Sequence, residues 1–270
     1  MAINLLTLNS YADEIKFYYN TSGNISVKNW ISNDTVTQFA VQKLSAEEQL
    51  TAKPQNQTTI GKTSTHYLEL NSNYWFGLVS QNNLFNLGPL FGIGFDFLFS
   101  STSFSNSSIP QSSQEFLLNA NSYFMDISFI KLALLHDEKM SKYISLSGHY
   151  TNFSNYALSK LSTLDGLALG VEGKYNLFDV ADLHLNANYI PVITNANLNK
   201  SFGINADTGI KWNISPKASI DVGYKALYYS GSADVEVNAK DTAGKDVIIK
   251  GNLTLSDLIH GLTFGGTYYF

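Results

Sequence analysis

From Asp13 onward, apolar and polar residues alternate with a period of two, and no segment sustains a helical period. In Ser201–Asn213, Phe202, Ile204, Ala206, Thr208, Ile210 and Trp212 share one face, and Gly203, Asn205, Asp207, Gly209, Lys211 and Asn213 share the other. Ser219–Tyr229 sets Ile220, Val222, Tyr224, Ala226 and Tyr228 against Asp221, Gly223 and Lys225. Leu167, Leu169, Val171, Tyr175 and Leu177 likewise oppose Gly170, Glu172, Lys174 and Asn176, and Phe91, Ile93, Phe95, Phe97 and Phe99 oppose Gly92, Gly94 and Asp96. Two-faced strands of this kind bury their apolar side in a soluble core or turn it toward lipid. No run approaches the roughly 18–20 apolar residues of a spanning helix. The nearest, Ile127–Leu135, is interrupted by Lys131. If the chain crosses a membrane it does so as a closed barrel, because lipid offers no water to an open strand edge.

The connections favour the barrel. Short links fall near Gln81–Gly88, His136–Lys142, Asp179–Asp182 and Ser215–Ala218; long polar ones fall at Ile31–Lys62, Ser103–Ser113, Ser154–Thr163, Thr194–Lys200 and Ser230–Asn252. Short turns at one end and long loops at the other are the rhythm of a transmembrane barrel, and a sandwich has no reason to show it. The intervening strands are expected near 14–29, 64–80, 89–102, 115–131, 143–153, 164–178, 183–193, 201–214, 219–229 and 254–270. Ten is even, as both ends on one side require. The ambiguity of Phe124–Leu135 leaves eight or twelve open. Ala40–Leu50 carries a weak helical pattern inside the first long loop.

Composition narrows the function classes. Charged residues are 14% and aromatics 13%, against roughly 25% charge in ordinary soluble domains. The chain is polar through Asn, Ser, Thr and Gly rather than through ions. Its basic residues are all lysine and its net charge is -5. Without arginine, the preferred fork for phosphate, a nucleic-acid partner is not expected. The codon-linked richness in Lys, Asn, Ile, Phe and Tyr suits a low-GC bacterium. With no cysteine, disulfides, thiolate zinc and thiol catalysis are excluded. Residues 1–12 read as the remnant of an export signal: Ala2–Leu8 is short and mostly apolar, and Ser10-Tyr11-Ala12 is a small-x-small site before Asp13. The alternative is the start of a first strand.

Tyr18, Tyr19, Trp30, Tyr74, Trp75, Tyr175, Tyr189, Trp212, Tyr228, Tyr268 and Tyr269 fall near strand ends, where rings at headgroup level form girdles. The last residues, Leu262-Thr-Phe-Gly-Gly-Thr-Tyr-Tyr-Phe270, place Leu262, Phe264, Tyr268 and Phe270 at alternate positions, with Gly266 departing from the apolar pattern. This terminus resembles that of small Gram-negative outer-membrane β-barrel proteins. The resemblance covers about the last ten residues. It implies that Tyr268 and Phe270 belong to the signal read by the barrel-assembly machinery, and that the chain resides in the bacterial outer membrane among its lipids and lipopolysaccharide.

The fold expected is therefore all-β, a single antiparallel up-and-down transmembrane barrel over residues 13–270. Its polar face should line the lumen with Lys16, Glu69, Asp96, Asp126, Glu172, Lys174, Asp207, Lys211, Asp221 and Lys225, together with Glu14. Mixed signs in a narrow space should pair, and ten strands leave no wide channel. A structural or surface-interaction role through long outer loops, contacting host ligands, phage or lipopolysaccharide, is the leading expectation. A narrow pore for small solutes is second and a membrane hydrolase third. No enzyme activity, cofactor or metal is expected. His66, His136, His149, His184 and His260 lack ligand spacing. Gly148-His-Tyr-Thr-Asn152 has a faint likeness to the His-x-Ser run of lipid A deacylases, with Thr151 in the nucleophile's place. Asp257 and His260, compared with the acidic–His sites of omptin proteases, should fall on opposite faces. A soluble lipocalin-like barrel would reverse the assignment, with its apolar face inward.

Overall fold

The computed structural model describes residues 4–8, 15–42, 58–80, 90–101, 121–136, 142–154, 164–177, 180–194, 200–240 and 246–270. The strands are β1 (Asn4–Leu8), β2 (Ile15–Gln42), β3 (Thr58–Ser80), β4 (Leu90–Ser101), β5 (Asn121–His136), β6 (Tyr143–Ser154), β7 (Leu164–Leu177), β8 (Ala181–Thr194), β9 (Lys200–Ser215), β10 (Ala218–Lys240) and β11 (Asp246–Tyr269). From β2 to β11 each strand pairs antiparallel with its chain neighbours. β11 then pairs with β2, for example Leu262 opposite Ile31, so ten strands close into an up-and-down barrel. Closure leaves no edge for lipid to strand. At the seam Gly23 N–H donates to Phe270 O (3.2 Å), and Phe270 N–H donates to Gly23 O (3.0 Å). β1 lies outside the ring, alongside Ile15–Tyr18 of β2.

The apolar face points outward. Leu167, Leu169, Ile204, Val222, Leu262 and Phe264 are all exposed, whereas Asn205, Asp221 and Lys225 are buried. This orientation removes the lipocalin alternative, whose apolar side would face the lumen. Outer-facing Tyr74, Tyr175, Trp212 and Tyr268 collect toward the end that carries the C-terminus, and Tyr189 toward the opposite, hairpin end. Tyr268 and Phe270 are themselves exposed on the outer wall. Two glycines, Gly209 and Gly223, sit opposite each other on β9 and β10. A Cβ at Gly209 would lie 2.7 Å from the His184 ring, so the missing side chain lets that imidazole lean across the wall.

Three expectations need correction. Ile31–Lys62 and Ser230–Asn252 are not long loops for most of their length. β2 runs on to Gln42, β3 starts at Thr58, β10 reaches Lys240, and β11 begins at Asp246. A strand that runs past the lipid is not held between two different solvents, so the apolar–polar alternation that marks a strand need not be kept there. Ala40–Gln42, expected to be helical, is strand; 43–50 lies outside the described residues. Second, β5 extends to His136. Its register slips between Ser128 and Ile130 and again between Ala133 and Leu135, and the first bulge turns Phe129 and Ile130 outward together (56% and 48% exposed). Two adjacent outward residues break the period and disguise the strand. Third, Trp30 and Trp75 are not girdle residues. The two tryptophans are buried inside the lumen, as Trp75 must be when its neighbour Tyr74 faces out. Tyr269 is not a girdle residue either, its ring lying inside the lumen under Lys174. The side chains of Tyr18 and Tyr19 lie outside the described residues.

Candidate functional site: the filled lumen

Polar side chains on inward positions meet across the barrel at several levels. Nearest the terminal end, Lys174 Nζ is 2.8 Å from Asp182 and 5.5 Å from the centre of the Tyr269 ring, on a strand almost opposite. Asn176 also donates to Asp182 (2.7 Å). Lys131 pairs with Glu172, donates to Asn73 (2.7 Å) and lies over Trp75; Tyr143 donates to the same Glu172. Further in, Lys28 is held between Asp207 (3.4 Å) and Asp221 (3.2 Å), with Lys211 3.7 Å from Asp221. Lys225, fully buried, is held between Asp96 (2.8 Å) and Glu69 (3.2 Å). Charges taken from water are tolerable only with such partners.

Of the residues expected in the lumen, Glu69, Asp96, Asp126, Glu172, Lys174, Asp207, Lys211, Asp221 and Lys225 thus form a set of separate groups. These are Lys225 with Glu69 and Asp96, Lys28 and Lys211 with Asp207 and Asp221, Lys131 with Glu172, Lys174 with Asp182, and Asp126 with His149. The Lys16 side chain and all of Glu14 lie outside the described residues. Lys28, Lys131 and Asp182 belong to the set and were not anticipated. Period two alone would have placed Lys28 and Asp182 inward, and the β5 bulge hid Lys131.

A Ser–His–Asp arrangement lies beside the ion pairs. His149 Nδ1 is 2.6 Å from Asp126 Oδ1 and 3.0 Å from Ser128 Oγ, and His149 Nε2 is 2.5 Å from Ser147 Oγ. Asn188 donates to the other Asp126 oxygen (3.4 Å). Ser147, two residues before His149 on the same strand face, takes the place for which Thr151 was considered. Thr151 is also buried, and its hydroxyl donates to Gly166 O (3.3 Å). The geometry of nucleophile, base and orienter is present, but the space before Ser147 is occupied. A Cβ on Gly170 would meet Asn188 Oδ1 at 2.3 Å, Ser147 Oγ at 2.4 Å and His149 Nε2 at 2.5 Å. The cavity that borders His149 and Asp126 measures about 70 Å³, room for a few waters and not for an acyl substrate. Asp257 is buried inward, and His260 faces outward, bonded to the Tyr224 hydroxyl (2.6 Å). These two residues do not share a site.

The lumen is not polar throughout, which is a further correction. On eight strands the buried inward residue next beyond the polar set, toward the hairpin end, is apolar or aromatic: Trp30, Tyr67, Leu98, Phe124, Phe153, Ile190, Leu227 and Ile259. Tyr229 joins them, its ring stacked on Phe153 at 4.3 Å and 9° across the barrel from β10 to β6. Phe124 meets Phe153 edge-on at 6.3 Å. A collar of large side chains therefore crosses the lumen on the hairpin side of the polar column, with buried Ser32 and Asp257 beyond it.

No family model and no curated protein matches the chain. Among solved structures, it is similar to the outer membrane protease OmpT from Escherichia coli, at 10% identity over 92% of this chain and 97% of that one, with a TM-score of 0.50. Lower scores relate it to OmpT of Vibrio cholerae (10% identity, 98% and 100% covered, 0.31) and to the attachment invasion locus protein Ail of Yersinia pestis (11%, 92% and 99%, 0.26). At such identities the likeness speaks for fold alone. With its lipid-compatible exterior and closed ring of ten strands, the chain has the fold of the bacterial outer-membrane β-barrels.

Proposed function

We propose that this protein is a non-enzymatic outer-membrane scaffold that presents paired hairpins at the cell surface, its lumen closed to bulk solutes and both termini on the periplasmic side. The observation that carries this reading is strand length. β2, β3, β10 and β11 contain 28, 23, 23 and 24 residues, whereas the other barrel strands contain 12–16. A tilted strand needs only about 9–11 residues to cross the hydrocarbon core. These four strands are neighbours in the ring, in the order β3-β2-β11-β10, so their excess length forms one continuous sheet beyond the lipid belt. Lipopolysaccharide and host surface ligands are the partners such a sheet would meet. The barrel-assembly machinery would read Tyr268 and Phe270.

An epitope tag inserted after Gly244, between β10 and β11, is expected to be labelled on intact cells. Labelling only after permeabilisation of the outer membrane would invert the topology. Residues 1–12 belong to this reading as an export segment. Mass spectrometry of protein recovered from outer membranes should then show Asp13 as the first residue, and an intact Met1 would remove the segment. The narrow-pore alternative is tested by planar-bilayer recording. The cross-lumen contacts lead us to expect no steady conductance, and large steady steps from the parent protein would make it a porin.

A further inference from the structure

We propose that the lumen is a latent cation pathway, aqueous from the terminal end and shut by the aromatic collar at the hairpin end. It deepens the scaffold reading, because it requires a parent barrel that is closed.

Three cavities follow one another along the axis. A cup of about 560 Å³ opens at the terminal mouth beside Phe270. It shares Lys174 and Tyr269 with a cavity of about 80 Å³, which in turn shares His184 and Lys211 with the inner cavity of about 70 Å³. The inner cavity is walled mostly by polar side chains, whereas the two nearer the mouth mix Lys174, Asp182 and His184 with Trp75, Tyr143, Tyr269 and Phe270. The polar contacts between them include ion pairs and hydrogen bonds, which can exchange a partner for water or a passing ion. The inner cavity ends below the collar. There the Phe153–Tyr229 stack crosses the lumen, with fully buried Trp30, Phe124, Leu227 and Ile259 nearby. Stacked and aliphatic side chains offer water nothing to exchange with, and an apolar constriction blocks ions by excluding water. The collar therefore holds the barrier, rather than the salt-bridged layers.

The sign of the pathway follows from the carboxylates. Lys28 and Lys225 each stand between two of them. Asp126 adds another, held by His149 and Asn188 rather than by a lysine. With Lys211 on Asp221, Lys131 on Glu172 and Lys174 on Asp182 counted as well, the carboxylates of these groups outnumber the lysines, an excess that favours cations.

The test is a Phe153→Ala/Tyr229→Ala variant of the full chain, refolded in detergent and recorded in planar bilayers under a KCl gradient. We expect discrete steps that the parent lacks, with the reversal potential displaced toward that of potassium. Adding Asp126→Asn should weaken that preference at least twofold while the steps persist, which a leak around the barrel would not show. A heat-modifiable gel shift establishes that each variant is folded. If the double variant fails to fold, Tyr229→Ser and Phe153→Ser singly serve the same purpose. Folded variants that remain silent would overturn the proposal, as would steps that prefer chloride. A conducting parent would instead overturn the closed-scaffold reading, so the two failures are distinguishable.

Discussion

Lys225→Met is expected to lower the stability of the folded barrel by about 3–5 kcal/mol, the cost of breaking a buried charge cluster from one side. The Lys225 side chain is fully buried, and its ammonium holds Asp96 at 2.8 Å and Glu69 at 3.2 Å. Methionine fills similar volume and supplies no proton donor. Two carboxylates would then face each other with no cation between them, and Glu69 is itself only 2% exposed. Urea unfolding in lipid vesicles should show a lower midpoint at unchanged slope. Glu69→Gln and Asp96→Asn introduced together on the Lys225→Met background should recover more than half of the loss, because neutral amides can remain hydrogen-bonded where carboxylates repel. A midpoint within error of the parent would mean that Lys225 makes no net contribution to the core. Lys211→Met should cost less, since Asp221 keeps Lys28 at 3.2 Å when Lys211, at 3.7 Å, is removed.

What the sequence conveyed and what it withheld follow one physical rule: alternation is legible where two different solvents act on the two faces of a strand. Between girdles, lipid selects Leu167, Leu169 and Val171, and the lumen selects the residues between them. Hence the faces, the strand number and most of the polar set could be read directly. That selection ends with the lipid, so the hairpin-end parts of β2, β3, β10 and β11 looked like polar loops. Bulges hide strands for another reason, as at Phe129 and Ile130, because they add a residue to one face. The collar did leave a trace. Leu98, Phe124 and Phe153 interrupt otherwise polar rows toward the hairpin end, and large apolar residues on the inward face there mark a lumen that is closed rather than wet. Pairing across the lumen left no trace. Asp96 and Lys225 are 129 residues apart, and only barrel closure with its tilt decides that they meet. The Ser147–His149–Asp126 set was half visible, since Ser147 and His149 share a strand face, whereas Asp126 arrives from the neighbouring β5.

On the outer wall, Val222→Arg is expected to destabilise the barrel by about 2–4 kcal/mol, the range for an arginine near the bilayer midplane. Val222 is 43% exposed and sits between Ile210 of β9 and Phe264 of β11. Trp212 and Tyr268 mark the girdle on one side of it and Tyr228 the level on the other. No carboxylate neighbours it on the outer face to pair with a new charge. The guanidinium would have to snorkel toward a headgroup or draw water into the hydrocarbon, and either route carries the cost. The dependence on depth separates this origin from a packing defect. Ile214→Arg, beyond Trp212 and 66% exposed, should cost about 1 kcal/mol or less, because penalties fall toward the interface. Refolding equilibria measured in vesicles for both variants decide the matter. Equal losses at the two positions, or no loss at Val222, would show that this face does not meet the hydrocarbon core.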